Sequence, residues 1–154
     1  MVTFRRWRCI LSRRLPTTNR VMAVLDTADA AVAAVAALER EEFAAEDVLV
    51  LRGERDAERI DSLGNVGGVW ARARRQLSFT LADQMVDLAV YVAALRDGRT
   101  VVSVLVSGDA GRERAKRALA GSDAHFVNFF GRFATEDMVP WRGPELPLPP
   151  WLRR

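Results

Sequence analysis

The sequence predicts an α+β sandwich in which one four-stranded sheet carries helices on one face. Three observations carry that expectation. Four short runs rich in β-branched and aromatic residues, 20–25, 46–53, 99–107 and 124–130, read as strands. Helical spacing of apolar residues fills the gaps after the first and third runs, giving two strand–helix–strand halves. The 154 residues are 49% apolar and 28% charged, enough for one packed core, and no window approaches the eighteen apolar residues of a membrane span.

Each element has its own justification. "RVMAVL", 20–25, has no polar alternation and predicts a strand buried on both faces. In "DTADAAVAAVAALEREEF", Asp26 or Thr27 can cap a helix, because a side-chain oxygen there accepts a free backbone N–H. Ala31, Val35 and Leu38 form its inner stripe, and residues 39–42 close it in water. "EDVLVLRG", 46–53, is the second strand, ended by Gly53. A helix over 81–98 has a seam of Leu81, Met85, Leu88, Val92 and Leu95, and Gly98 suits the left-handed position past its last turn. After the third strand, Asp109 is the expected cap of a helix that buries Ala115, Ala118 and Leu119 and stops at Gly121. "AHFVNFF", 124–130, completes the sheet. Strict alternation would put His125, Val127 and Phe129 on one face, with Ala124, Phe126, Asn128 and Phe130 on the other. This order is the split βαβ arrangement of ferredoxin-like folds. Its second sheet face needs a cover, which dimerisation or the chain's own tails would supply.

Residues 54–80 interrupt the pattern as an inserted segment. The glycines at 64, 67 and 68 match neither a dinucleotide loop nor a GxxxxGK[ST] phosphate loop. Beyond them Val69, Trp70, Ala73 and Leu77 could share a face of a short helix, with Arg72, Arg74 and Arg75 pointing elsewhere. This is a connection with a surface helix, or else a lid or a basic anion site, with Trp70, Arg72 and Arg75 as candidate contact residues.

The net charge of +3 is uneven. Residues 1–20 hold six arginines and no acid, whereas 21–139 hold 14 basic and 19 acidic groups. Three units follow: a basic arm over 1–19, a ferredoxin-like domain over 20–137, and a tail over 138–154 with Trp141, Trp151 and five of the six prolines. The arm is an extension, a transit-peptide-like segment, or a nucleic-acid contact through Arg5, Arg6, Arg8, Arg13 and Arg14. Single Cys9 excludes an internal disulfide and a Cys-based zinc site, and fits a reducing cytoplasm.

Candidate chemistry is sparse. His125 is the only histidine, so a protein-only metal site is not expected, and no cofactor is assigned. The residue reads as a hydrogen-bonded structural group, with an axial haem ligand as the alternative. The serines show no nucleophile elbow. Gly131-Arg132 is the best single candidate contact, because an arginine at a strand end can grip a carboxylate or phosphate. With Asn128, Trp141 and Trp151 it completes the expected ligand or partner surface.

The segments "NRVMAVLDTADAAVAAVAALEREEFAAEDVLVLRGE", "YVAALRDGRTVVSVLV" and "AHFVNFFGRF" resemble small bacterial proteins of the general stress protein (heat-induced stress protein) type. The resemblance spans about 20–137. It implies a ferredoxin-like fold and a stress-related role, and supplies no catalytic residue. The combined expectation is a non-enzymatic cytoplasmic protein. It would act by self-association, as a dimer, or by binding a small anionic ligand or a partner. Arm-mediated RNA binding and a dimeric α+β-barrel enzyme are the alternatives.

Overall fold

A computed structural model describes residues 18–61, 79–132 and 134–146, and the side chains of its third helix from Val86 onward. The order is β1 (Arg20–Leu25), α1 (Ala28–Arg40), a short 3-10 turn (Ala45–Asp47) and β2 (Val48–Arg52). It continues with α2 (Gly53–Asp61), α3 (Phe79–Arg96), β3 (Thr100–Leu105), α4 (Gly108–Ala120), β4 (His125–Phe130) and β5 (Thr135–Val139). The sheet is antiparallel throughout and has five strands in the order β2-β3-β1-β4-β5. The expected count of four is corrected by "TEDMV", which pairs beside β4. Its acidic, partly exposed residues suit an edge, and they carry no apolar alternation that would mark a strand in the sequence.

Helices cover both faces, which corrects the expectation of one. Val21, Ala23 and Leu25 of β1 pack with Ala31, Ala34, Val35 and Leu38 of α1 and Ala115, Ala118 and Leu119 of α4. Met22 and Val24 point the other way, into Ala57 and Ile60 of α2 and Tyr91, Val92, Ala94 and Leu95 of α3. Every residue of β1 is therefore buried, as the unbroken apolar run requires. The face expected to await a dimer partner or a tail is covered by α2 and α3, with Trp141 and Leu146 adding to the same cluster.

Local chemistry explains the boundaries. Thr27 caps α1, its Oγ1 accepting from the Ala30 N–H at 3.1 Å. Gly53 does not merely end β2. At φ +68° it turns the chain straight into α2, a conformation open to glycine at little cost. Arg96 of α3 ties the two cover helices together through Glu54 at 2.9 Å. Gly98, at φ 84°, lets the Arg99 N–H reach back to the Ala94 carbonyl at 3.0 Å, the expected left-handed ending of α3. Ser107, not Asp109, occupies the cap position of α4, and its hydroxyl makes no capping bond.

Candidate functional site

A cavity of about 460 Å³ opens where α4 begins, beside the turn joining β4 to β5. Its walls include Asn19, Val106, Ser107, Gly108, Phe129 and Arg132, with Arg112, Ala134 and Glu136. The β4–β5 register sets Phe130 opposite Thr135, which leaves Arg132 in a tight turn; the Gly131 N–H donates to the Ala134 carbonyl at 2.8 Å. Phe129 and Glu136 are cross-strand partners, so their side chains share one face of the hairpin. Arg112 lies over the Phe129 ring at 4.6 Å and pairs with Glu136 at 3.2 Å and with Asp109. The first turn of α4 lacks a side-chain cap, so its N–H groups and the positive end of the helix face this region.

A second polar cluster lies at the opposite end of β4, on the order of 16 Å away along the strand. His125 is only 2% exposed. Its Nδ1 accepts from the Arg142 backbone N–H at 3.2 Å, so Nε2 carries the proton and donates to Asp26 Oδ1 at 2.9 Å. Arg99 also binds Asp26, and lies 5.1 Å from the Trp141 ring centre. Trp141 packs on His125 edge-to-face at 4.5 Å. Burial pushes the Asp26 carboxyl up, but the hydrogen bonds from His125 and Arg99 and the electrostatic attraction of both groups outweigh it and hold the group below the ordinary carboxylate range. Both imidazole nitrogens are thus engaged within the fold, an arrangement that gives a haem-ligand role no support.

His125 faces the α2/α3 side, not the side of Val127 and Phe129. It pairs with Val24, which belongs to the α2/α3 cluster. The alternation fails because the register slips between Met22 and Val24 and Phe126 adopts φ 47°. Tyr91 plugs this irregularity. Its hydroxyl lies 2.9 Å from the Met22 carbonyl and 2.7 Å from the Phe126 carbonyl. Burial, the largest influence, raises the Tyr91 pKa well above its ordinary value. The buried Asn128 side chain also approaches this hydroxyl, though its Nδ2 meets hydrogen-bond geometry with no group among the described residues.

Arg20 counted toward the basic end of the sequence, yet it is 3% exposed within β1. Its Nε donates to Ser103 Oγ at 2.8 Å and a terminal nitrogen to the Asp47 carbonyl at 2.5 Å. Burial lowers its pKa to about 10, against an opposing attraction from Asp47.

The structure therefore brings Arg132 to a cavity, places His125 and Trp141 together in a separate cluster, and seats Asn128 in the core. Trp70, Arg72, Arg75, Trp151 and the arm residues Arg5, Arg6, Arg8, Arg13 and Arg14 lie outside the described residues. Sequence reasoning missed Arg112 and Glu136 at the cavity, and Asp26, Arg99 and Tyr91 around β4. Asp109 and Arg112 stand three apart on a helix, a spacing that could have flagged the pair. Asp26 and His125 are 99 positions apart, and nothing local announces their contact.

Fold and site together define an α+β protein with a five-stranded antiparallel sheet and a ligand-sized cavity. No protein-family model, curated protein or solved structure matches the chain. Among the described residues no helix is long and apolar enough to cross a membrane, and no group of three or more His, Cys, Asp or Glu residues could hold a metal ion.

Proposed function

We propose that this protein binds a small anionic molecule in the cavity between the β4–β5 turn and the start of α4, and acts by binding, not by catalysis. One observation carries the reading: Arg132, fixed on a tight turn, borders a cavity that also holds the uncapped start of a helix. A guanidinium grips carboxylate or phosphate in a bidentate way, and backbone N–H groups add donors that need no side-chain ordering. Glu136 opposes a bare anion here, and Arg112, 3.2 Å away, offsets part of its charge. The sole imidazole lies at the far end of β4, which favours binding over acid–base chemistry in this cavity.

The order β2-β3-β1-β4 is that of a split βαβ sheet, and we take β5 as an edge addition to a ferredoxin-like core. The resemblance to general stress proteins suggests a role for such a binder in cytoplasmic stress physiology. The sheet face assigned to self-association is covered by α2 and α3, which makes ligand binding the preferred mode.

Titrating isotope-labelled protein with inorganic phosphate and with acetate tests this. Amide signals of Gly108, Asp109, Gly131 and Arg132 should shift together and saturate, and Arg132→Gln should abolish the response. Shifts scattered over the surface, or persisting in the variant, would refute the reading.

A further inference from the structure

The cavity carries both signs of charge and an apolar wall, and this narrows its ligand. We infer that the site takes a free α-amino acid with an apolar side chain; the inference rests on the proposed anion-binding role and specifies it. Arg132 faces the ligand carboxylate. Glu136 supplies the counter-charge for an ammonium group. Arg112, between Glu136 at 3.2 Å and the Phe129 ring at 4.6 Å, holds that carboxylate in place. Val106, Phe129 and Ala134 form the apolar lining.

The hairpin register makes this arrangement repeatable, not incidental. Glu136 is fixed beside Phe129 across the ladder, and Arg132 and Ala134 border the same space from the connecting turn. Gly131 permits the close fit: a Cβ there would meet the Phe129 ring edge at 3.0 Å and the Ala134 carbonyl oxygen at 3.0 Å. A bare phosphate would use Arg132 but leave Glu136 repelling it and the apolar wall unfilled. A volume of about 460 Å³ has room for a branched or aromatic side chain beyond the two charged groups. Specificity then comes from two opposite charges at one end and an apolar end, since a site rejects analogues that leave its polar groups unpaired.

Calorimetry on the full chain with L-phenylalanine, 3-phenylpropionate and 2-phenylethylamine separates the contributions. Phenylalanine should bind most tightly. Removing its ammonium should weaken binding about tenfold, the low end for a charge-assisted hydrogen bond at a partly exposed group. Removing the carboxylate should abolish binding. Glu136→Gln should erase the preference for phenylalanine over 3-phenylpropionate, whereas Arg132→Gln should weaken both. If 3-phenylpropionate binds as well as phenylalanine, or the preference survives Glu136→Gln, the amino-acid assignment is overturned while anion binding stands. If neither acid binds and phosphate and acetate leave the cavity amides unmoved, both readings fall.

Discussion

Asp26 joins two side chains from distant parts of the chain, the His125 imidazole and the Arg99 guanidinium. Its carboxyl is held below its ordinary pKa of 3.8, so the ionised form favours the folded state. That contribution is complete above the unfolded value and is lost as pH falls through the lower folded one. Urea unfolding followed from pH 6 down to pH 2 should show the wild type's advantage over Asp26→Asn shrinking below about pH 3.8. A constant gap across that range would remove Asp26 from the balance. Tyr91 presents the opposite case, a neutral group whose value lies in its hydroxyl. Tyr91→Phe keeps the ring contacts with Phe126 and Phe130 but strips the buried Met22 carbonyl and the part-buried Phe126 carbonyl of their shared donor. It should cost about 1–3 kcal/mol of unfolding free energy, measured as a lower denaturant midpoint at unchanged slope.

At the scale of elements, the β4–β5 hairpin decides where the cavity lies. Gly131→Ala would drive a methyl against the Ala134 carbonyl and the Phe129 ring, both at 3.0 Å, and backbone cannot yield as a side chain end can. The variant should lose about 1–3 kcal/mol, and its Arg132 amide should move in spectra more than amides of β1 or β3. Thermal melting and amide mapping check both parts. The helices were legible because their apolar stripes decide them: Ala31, Val35, Leu38, Ala115, Ala118 and Leu119 are all buried as their spacing requires. The seam over 81–98 held for Leu88, Val92 and Leu95, while Leu81 and Met85 have no described side chains. β5 and α2 escaped notice for a shared reason. "TEDMV" and "GERDAERID" are polar elements at the margin, defined by what they lie against more than by their own pattern.

Over the whole molecule, β1 is the axis: β3 and β4 flank it, and a core lies on each of its faces. The apolar run Val21–Leu25 announced that position, since a strand apolar on both of its faces is expected to be buried on both. The same run could not say what would cover the second face. Two helices on either side of a sheet and a bare face closed by dimerisation are equally consistent with an apolar strand, and the choice lies in contacts made far along the chain. Arg132 was recognisable as a strand-end arginine, but its cavity was not, because Arg112 and Glu136 meet only through tertiary packing.

The central position of β1 has a consequence for synthesis. β1 leaves the ribosome well before β3 (Thr100–Leu105) and β4 (His125–Phe130), and neither of its edges is paired until they follow. Until then its apolar edges stay open to chaperones and to wrong neighbours, so the growing chain acquires its protected form late and nearly all at once.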